Sequence, residues 1–156
     1  MEIRAGHLVS QIKRYSDRIF ERILSRQKID AFNGAQGRIL YVLWQEDYIS
    51  LRDLAGRTGL AATTLTSMID RMEDAGLVSR VSDTNDRRRT LLALTGMAKN
   101  LRQDYMAVSD QMTGIFYTGF SEEEILQCEA FLGRIHENLR QHDEIPQIYK
   151  RKGKNI

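Results

Sequence analysis

Apolar residues recur at steps of three and four along most of the chain, the spacing that places side chains on one face of an α-helix. In the first such stretch, Leu8, Ile12, Tyr15 and Ile23 fall on one stripe. The pattern therefore predicts an α-helix for each periodic stretch. The predicted helices cover residues 5–27, 35–45, 51–58, 62–75, 95–118 and 121–141.

Polar residues that favour helix N-termini stand at the start of several of these segments. Asn33, Ser50 and Thr95 each precede a periodic run, where a side-chain oxygen can accept a hydrogen bond from a first-turn amide. Ser121 and Glu124 have the spacing of a capping box, in which each side chain satisfies a backbone amide of the other residue. These residues predict where the helices begin.

The pattern changes around the two short central helices. Gly59 lies between them, in a turn where only glycine takes a positive φ without steric cost. After Gly76, which is typical of a helix terminator, residues 77–81 and 90–94 read as two short strands joined by a polar segment. Two crossed helices followed by a hairpin predict a winged helix-turn-helix, a structure that reads duplex DNA.

The predicted fold is mainly α-helical with a small β-hairpin wing, an α+β protein. The long outer helices carry full apolar stripes that a small winged-helix core cannot cover, so we expect a second copy to cover them in a two-fold dimer. The alternative is that they pack on their own core in a monomer. The predicted regions are an N-terminal dimerisation helix (1–34), the winged helix-turn-helix (35–96), C-terminal helices that complete the dimerisation region (97–145) and a basic, disordered tail (146–156).

Composition narrows the class of protein without identifying a function. The formal net charge is only +2, and Cys128 is the single cysteine, which excludes an internal disulfide and suits the cytoplasm. No apolar run approaches the roughly 20 residues that a membrane span needs, and the chain does not open on a signal-peptide pattern. We therefore expect a cytoplasmic protein with no membrane partner.

The second short helix carries the residues expected to meet DNA. If Leu65, Met68, Ile69 and Met72 form its buried face, a step of 100° per residue turns the threonine and serine side chains outward. Hydroxyls at the start of this helix suit base edges, and arginines on the hairpin tip suit the negative minor groove. The candidate DNA-binding residues are Thr63, Thr64, Thr66, Ser67, Arg71, Arg87, Arg88 and Arg89.

Asp70 is an acidic residue on the same outward face, and its carboxylate would repel phosphate. We expect it to pair with a nearby arginine, either Arg87 or Arg80, and thereby to brace the hairpin. The plainer reading is that a threonine-rich first turn is ordinary helix surface.

The segments 76–80 (GLVSR) and 83–95 (DTNDRRRTLLALT) closely resemble the multiple-antibiotic-resistance regulator (MarR) family, and the similarity extends over nearly the whole chain. The resemblance implies a homodimeric bacterial transcription factor, usually a repressor, that binds a pseudo-palindromic site through two winged helices. It also implies that Arg88 enters the minor groove and that Asp86 helps to set its position.

The resemblance further implies an effector, because members of this family often respond to small aromatic or phenolic compounds. Residues that could line such a pocket lie on the first, second and fifth predicted helices, although their helical spacing marks them as core residues first. The candidate effector-pocket residues are Tyr15, Tyr41, Trp44, Tyr105 and Met112.

Other chemistry is weakly indicated. His136 and His142 are six residues apart, not the three or four that place metal ligands on one helix face, and no catalytic motif occurs. We expect no cofactor, no metal and no enzymatic activity. Two alternatives stay open: a winged-helix module that binds protein, and a thiol-based regulator that responds to oxidants through Cys128, which lies on the predicted buried stripe of the last helix.

Overall fold

The computed structural model describes residues 3–143. The predicted basic tail, residues 146–156, lies outside this range. The chain forms two compact units, Met1–Gly114 and Ile115–Ile156. Its elements in chain order are α1 (Ala5–Arg26), α2 (Gly34–Gln45), β1 (Ile49–Ser50), α3 (Leu51–Thr58), α4 (Ala62–Asp74), β2 (Val78–Ser82), β3 (Thr90–Leu94), α5 (Gly96–Asn100), α6 (Arg102–Phe116) and α7 (Glu122–Asp143).

The predicted start of α2 is confirmed, with a reciprocal bond that was not foreseen. The side chain of Asn33 accepts a hydrogen bond from the Gln36 amide at 2.8 Å, and the Gln36 side chain accepts one from the Asn33 amide at 3.0 Å. The helix begins at Gly34, whose amide donates to Glu21 Oε1 at 2.6 Å. This bond fixes the start of α2 against α1.

The helix-turn-helix consists of α3 and α4. Ser50 caps α3 as predicted, accepting from the Asp53 amide at 3.1 Å, and Gly59 ends the helix with a φ of 67°. Leu54 of α3 packs in one core with Leu65, Ile69 and Met72 of α4, all fully buried, and Met68 packs against this core partly buried. The turn and the shared core therefore match the prediction.

The sheet has one strand more than predicted. β2 and β3 pair antiparallel as the expected hairpin, and β1 pairs antiparallel with β3, giving the order β1-β3-β2. From the sequence alone, residues 49–51 are predicted only as a short extended link. Ile49 instead lies opposite Leu92, and both side chains are buried in the core. Two residues are too few to show the alternation that marks a strand in a sequence.

The predicted helix at 95–118 is wrong in one respect, because it is divided at Leu101. Thr95 caps the first part as expected, accepting from the Ala98 amide at 3.2 Å. The Leu101 amide then bonds back only three residues, to the Ala98 carbonyl, before α6 resumes. A single 3₁₀-type turn hardly disturbs the spacing of apolar residues, so periodicity does not reveal the break.

An aromatic cluster centred on Tyr105 fills part of the core of the first unit. A Cβ at Gly37 would lie 2.9 Å from Cε2 of Tyr105, so the absence of a side chain lets α2 approach this ring closely. The rings of Phe20, Phe32, Tyr41 and Trp44 lie 5.2 to 6.0 Å from that of Tyr105, centroid to centroid.

Helix α7 belongs to the second unit, and its predicted capping box is confirmed by the bonds between Ser121 and Glu124 at 2.8 and 3.2 Å. Its apolar stripe, which we expect a second copy to cover, is exposed in the single chain. No residue of α7 is buried, and Ile135 and Leu139 are 42% and 66% exposed. Amphipathic spacing shows which face of a helix is apolar. It does not show whether the same chain or another molecule buries that face.

The first half of α1 is uncovered in the same way. Leu8, Ile12 and Tyr15 are about half exposed, whereas Ile23 at the other end of the helix is buried. In residues 3–143 no helix combines the length and the hydropathy needed to cross a bilayer.

Candidate nucleic-acid interface

The outward face of α4 carries the predicted contact residues. Thr63, Thr64, Thr66, Ser67 and Arg71 are all exposed. The N-cap residue, Ala61, has no side chain that can bond the first-turn amides. These amides, at the positive end of the helix dipole, are therefore open to an anion such as a phosphate.

The hydroxyls on this face differ in their bonding. The Thr66 hydroxyl donates to the carbonyl of Ala62 at 2.9 Å, one turn back along the same helix. Its proton is therefore in use, although its oxygen can still accept a bond. Within residues 3–143, Thr63 and Ser67 form no such side-chain bond. Like Thr64, which also forms none among these residues, they are free both to donate and to accept.

The loop between β2 and β3 is shaped by its own aspartates. The Asp83 carboxylate accepts from the Asn85 amide at 2.9 Å, and the Asp86 carboxylate accepts from the Arg88 amide at 3.0 Å. The Arg89 amide also bonds the Asp86 carbonyl at 2.9 Å, closing a tight turn. Asp86 thus orients the backbone that carries Arg88.

Three adjacent arginines occupy this loop and are exposed. Arg87, Arg88 and Arg89 form no ion pair with any described residue. Like charges on neighbouring residues repel one another, and an external anion would relieve that repulsion. The loop therefore presents a concentrated positive charge beside the helix-turn-helix.

Arg80 on β2 connects the hairpin to α4. Its Nη2 lies 2.6 Å from Asp70 Oδ1, its Nη1 bonds Glu73, and its amide donates to Glu73 Oε1 at 3.1 Å. The hydrogen bond to Asp70 and those to Glu73 outweigh the cost of burial and raise the pKa of Arg80 above its usual value. Of the two arginines predicted for Asp70, Arg80 is the partner and Arg87 is not.

Glu73 also bonds Arg80, and it was not among the residues predicted from the sequence. It lies one turn after Asp70, so both carboxylates face the same arginine. Pairing with Arg80 offsets their negative charge, which would otherwise oppose phosphate approaching α4. The available signal was the three-residue spacing of the two acids, which places them on one helix face.

The predicted effector residues are only partly brought together. Tyr41, Trp44 and Tyr105 are in ring contact, as parts of the filled aromatic cluster, and Met112 packs against the core. The indole N–H of Trp44 donates to the Ala98 carbonyl at 3.0 Å. Tyr15 lies apart, 53% exposed, with the Arg18 guanidinium 5.0 Å above its ring.

A groove of about 560 Å³ lies elsewhere, between α2, α3 and α4, and shares only Tyr41 with the predicted set. Its lining is mostly apolar, with Arg38 and Arg57 as its charged residues. We refer to it as the α2–α4 groove. Because its walls come from three helices distant in the chain, helical spacing alone does not point to it. Its apolar residues include Tyr41, Val42, Leu60 and Met68.

The remaining candidates concern redox and metal chemistry. Cys128, which we expect on a covered stripe, is half-buried in the single chain and lies on a helix that has no buried residue. Among residues 3–143, no group of three or more histidine, cysteine, aspartate or glutamate side chains is placed to hold a metal ion.

Comparison with known proteins supports the same architecture. The sequence model of the MarR family matches residues 32–90, from before α2 to the start of β3. The HTH-type transcriptional regulator YcgE of Bacillus subtilis (strain 168) is 32% identical over 83 residues. That alignment spans 53% of this chain and 53%, about half, of YcgE.

Solved structures share the fold over most of the chain. The S. aureus MepR–DNA complex superposes with a TM-score of 0.76 at 23% identity, covering 88% of this chain and 99% of that one. CouR from Rhodococcus jostii RHA1, bound to p-coumaroyl-CoA, gives a TM-score of 0.73 at 24% identity, covering 84% and 90%. Residues 32–90 therefore match the MarR family's sequence model, and the solved structures show that the winged-helix fold extends over most of the chain.

Proposed function

We propose that this protein is a cytoplasmic transcriptional regulator that binds duplex DNA as a homodimer, represses the genes beside its operator and is released by a small-molecule effector. The observation that carries the proposal is the placement of three exposed, unpaired arginines in the wing beside a helix whose polar face and first-turn amides are open. Duplex recognition requires positive charge to contact the phosphates and a helix that fits the major groove.

In this proposal α4 enters the major groove with its N-terminal half. Thr63 and Ser67 contact base edges, because their hydroxyls have both donor and acceptor capacity. Arg71 and the first-turn amides contact phosphates, and Arg88 reaches into the minor groove. The contacts of Arg80 with Asp70 and Glu73 hold the wing against α4. We call the wing and the outward face of α4 together the reading surface.

A second copy of the chain completes the assembly. The uncovered apolar faces of α1 and of α7 each need a partner surface, and exposed faces of this length are rare on monomers. A two-fold dimer would present two reading surfaces to a pseudo-palindrome, with half-site centres about 10 base pairs apart.

The α2–α4 groove is the proposed effector site. It is lined mainly by apolar side chains and touches both helices of the helix-turn-helix, so a bound molecule can alter how α3 and α4 are held. CouR is solved with p-coumaroyl-CoA, an aromatic ligand, which supports an aromatic effector for this chain. Tyr41 lines this groove and also contacts the ring of Tyr105, so the aromatic cluster packs against one wall of the groove.

The test is selection of genomic fragments by the purified protein, followed by titration of one selected duplex at several salt concentrations. We expect binding to fall steeply with salt, with a slope of about 0.9 per neutralised phosphate on a double-logarithmic plot. Light scattering should give the mass of a dimer. A monomer that attracts no duplex even in dilute buffer would contradict the proposal and leave a protein-binding module as the better description.

A further inference from the structure

Four arginines form a row along the surface of α1. They stand four residues apart, which places each about one helical turn from the next, and all four residues are exposed. At a rise of about 1.5 Å per residue, the row is about 18 Å long. We call it the arginine stripe, and its members are Arg14, Arg18, Arg22 and Arg26.

No carboxylate of the described chain neutralises the arginine stripe. Within residues 3–143, none of its four members forms an ion pair. The two acidic residues of α1 are engaged with other groups. Asp17 pairs with Lys13 and with Arg38, and Glu21 accepts a hydrogen bond from the first amide of α2. Because like charges one turn apart destabilise a helix, a row left uncompensated in this way favours binding of an external anion.

The exposed apolar residues of α1 lie on a different side of the helix. Leu8, Ile12 and Tyr15 carry that face in the first half of the helix. At a step of about 100° per residue, Arg14 and Arg18 lie about 160° and about 120° around the helix from Ile12. A second copy seated on the apolar face therefore leaves these two arginines open.

The extent of the stripe distinguishes it from a membrane-binding surface. A helix that lies on a membrane carries its cationic and its exposed apolar residues over the same stretch. Here Arg22 and Arg26 flank Ile23 and Leu24, which are buried in the chain's own core. Half of the stripe thus has no exposed apolar residues beside it. Such a row fits a polyanion that offers charge alone.

We propose that the arginine stripe is a second duplex-binding surface, which contacts phosphates without regard to sequence and acts apart from the reading surface. Guanidinium groups bind phosphate oxygens through paired, charge-assisted hydrogen bonds. Duplex DNA carries one negative charge for about every 1.7 Å of its axis, so about ten phosphates lie along a length of about 18 Å. A duplex laid along α1 therefore offers more phosphates than the stripe has arginines.

This inference rests on the proposed function for the identity of the polyanion, because a regulator of transcription works among duplex DNA. It adds a contact that α4 and the wing do not supply. A protein with both surfaces holds two lengths of duplex at once, an operator at the reading surface and DNA of any sequence at α1. The second contact raises the local concentration of DNA around a bound regulator.

The test first blocks the reading surface. The full chain is saturated with a short selected duplex that is just long enough for two half-sites. A labelled duplex of unrelated sequence is then titrated into the complex, and its fluorescence anisotropy is followed at several salt concentrations. We expect the complex to bind this second duplex, with an affinity that falls as salt rises.

The double variant Arg18→Gln/Arg22→Gln should weaken this second binding about tenfold at low salt. It should also lower the salt slope by about 0.9 for each phosphate contact that is lost. Arg102→Gln/Arg134→Gln is the matched control, because it removes the same charge from exposed positions on α6 and α7. The control should change the second binding by less than about twofold.

Both double variants should keep the affinity of the natural chain for the short selected duplex, which shows that they are folded. Equal losses of second binding in the two variants would overturn the inference. So would a saturated natural chain that binds no second duplex, or one that prefers vesicles of phosphatidylglycerol to the duplex. No binding of any duplex would refute the proposed function as well, whereas absence of the second binding alone refutes only this inference.

Discussion

Arg80 Nη2 on strand β2 lies 2.6 Å from Asp70 Oδ1 on helix α4, and this contact joins the hairpin to the helix-turn-helix. Glu73, one turn further along α4, bonds the same guanidinium. The hairpin and the helix therefore cannot change their mutual angle without breaking hydrogen bonds to a charged group that is only 28% exposed.

Replacing Arg80 with glutamine should weaken DNA binding although the residue itself is not proposed to contact DNA. We expect a loss of about 1 kcal/mol, roughly fivefold, because the wing loses its anchor and two carboxylates are left facing phosphate. Fluorescence anisotropy on a selected duplex would measure it. Arg102→Gln, an exposed change at the start of α6, is the matched control.

The bracing role is tested by combining variants. In an Asp70→Asn, Glu73→Gln background, Arg80→Gln should have a much smaller effect, because the groups it neutralises are already uncharged. An undiminished effect in that background would show that Arg80 acts on DNA directly, and the brace would be wrong as an explanation.

Arg88 should contribute more to DNA binding than an ordinary surface arginine. Asp86 orients its backbone at the closed turn of the wing, and its exposed side chain is available to a minor groove. Arg88→Ala should cost about 1–3 kcal/mol of binding to a selected site. Arg134→Ala, which removes an equal charge from α7, should change the affinity by less than about twofold in the same titration. Equal losses in the two variants would refute a specific wing contact.

The lysine at position 28 is expected to lower the free energy of unfolding of the protein. It ends α1 with a φ of 57°, and the bonds of Lys28 to Ser25 and of Ile29 to Leu24 form a Schellman motif. The same motif ends α4 with Gly76 in the equivalent position, where a positive φ is free of steric cost. Lys28→Gly should therefore raise the free energy of unfolding by about 1 kcal/mol.

Chemical denaturation monitored by circular dichroism would measure this gain. Arg26→Gly is the matched control, because residue 26 is still helical and glycine there should destabilise by up to about 1 kcal/mol. Destabilisation by both substitutions would mean that the lysine side chain contributes something its backbone geometry does not show.

Tyr117 should titrate well above the usual tyrosine pKa. Its hydroxyl donates to the Glu129 carboxylate, and this bond, with the neighbouring negative charge, raises the pKa of Tyr117 to about 12. A group with a raised pKa adds stability that is complete below its unfolded pKa and is lost as pH rises through the folded value. The contact should therefore stabilise the chain up to about pH 10 and fail between about pH 10 and 12.

Ultraviolet absorbance of the phenolate during a pH titration would follow Tyr117. Glu129→Ala should lower the midpoint of one of the six tyrosines toward 10, whereas Glu123→Ala, an equal loss of charge on the same helix, should not. Identical titration curves for the natural chain and Glu129→Ala would show that the hydrogen bond does not hold in solution.

Much of the fold was predictable because its signals are local. The capping residues Asn33, Ser50, Thr95 and Ser121 act on amides within three positions, so they mark helix starts directly in the sequence. Gly59 likewise marks its turn through its own backbone conformation. Such features need no knowledge of the tertiary structure.

The features that were missed depend on partners distant in the chain. β1 is a strand only because β3 pairs with it, and the α2–α4 groove exists only where three helices meet. The choice between Arg87 and Arg80 for Asp70 depended on how the hairpin lies across α4. The apolar stripe of α7 is exposed in the single chain, and its cover by a second copy stays a prediction. The DNA-contacting and effector residues stay predictions.

Trp44 is the only tryptophan of the chain, and its ring lies 5.2 Å from that of Tyr105, which in turn contacts Tyr41 at the wall of the groove. Its indole hydrogen is held by the Ala98 carbonyl, so the fluorophore is fixed between α2 and α5. The protein therefore carries a single built-in optical probe, positioned to report by emission any rearrangement of α2, with no label attached.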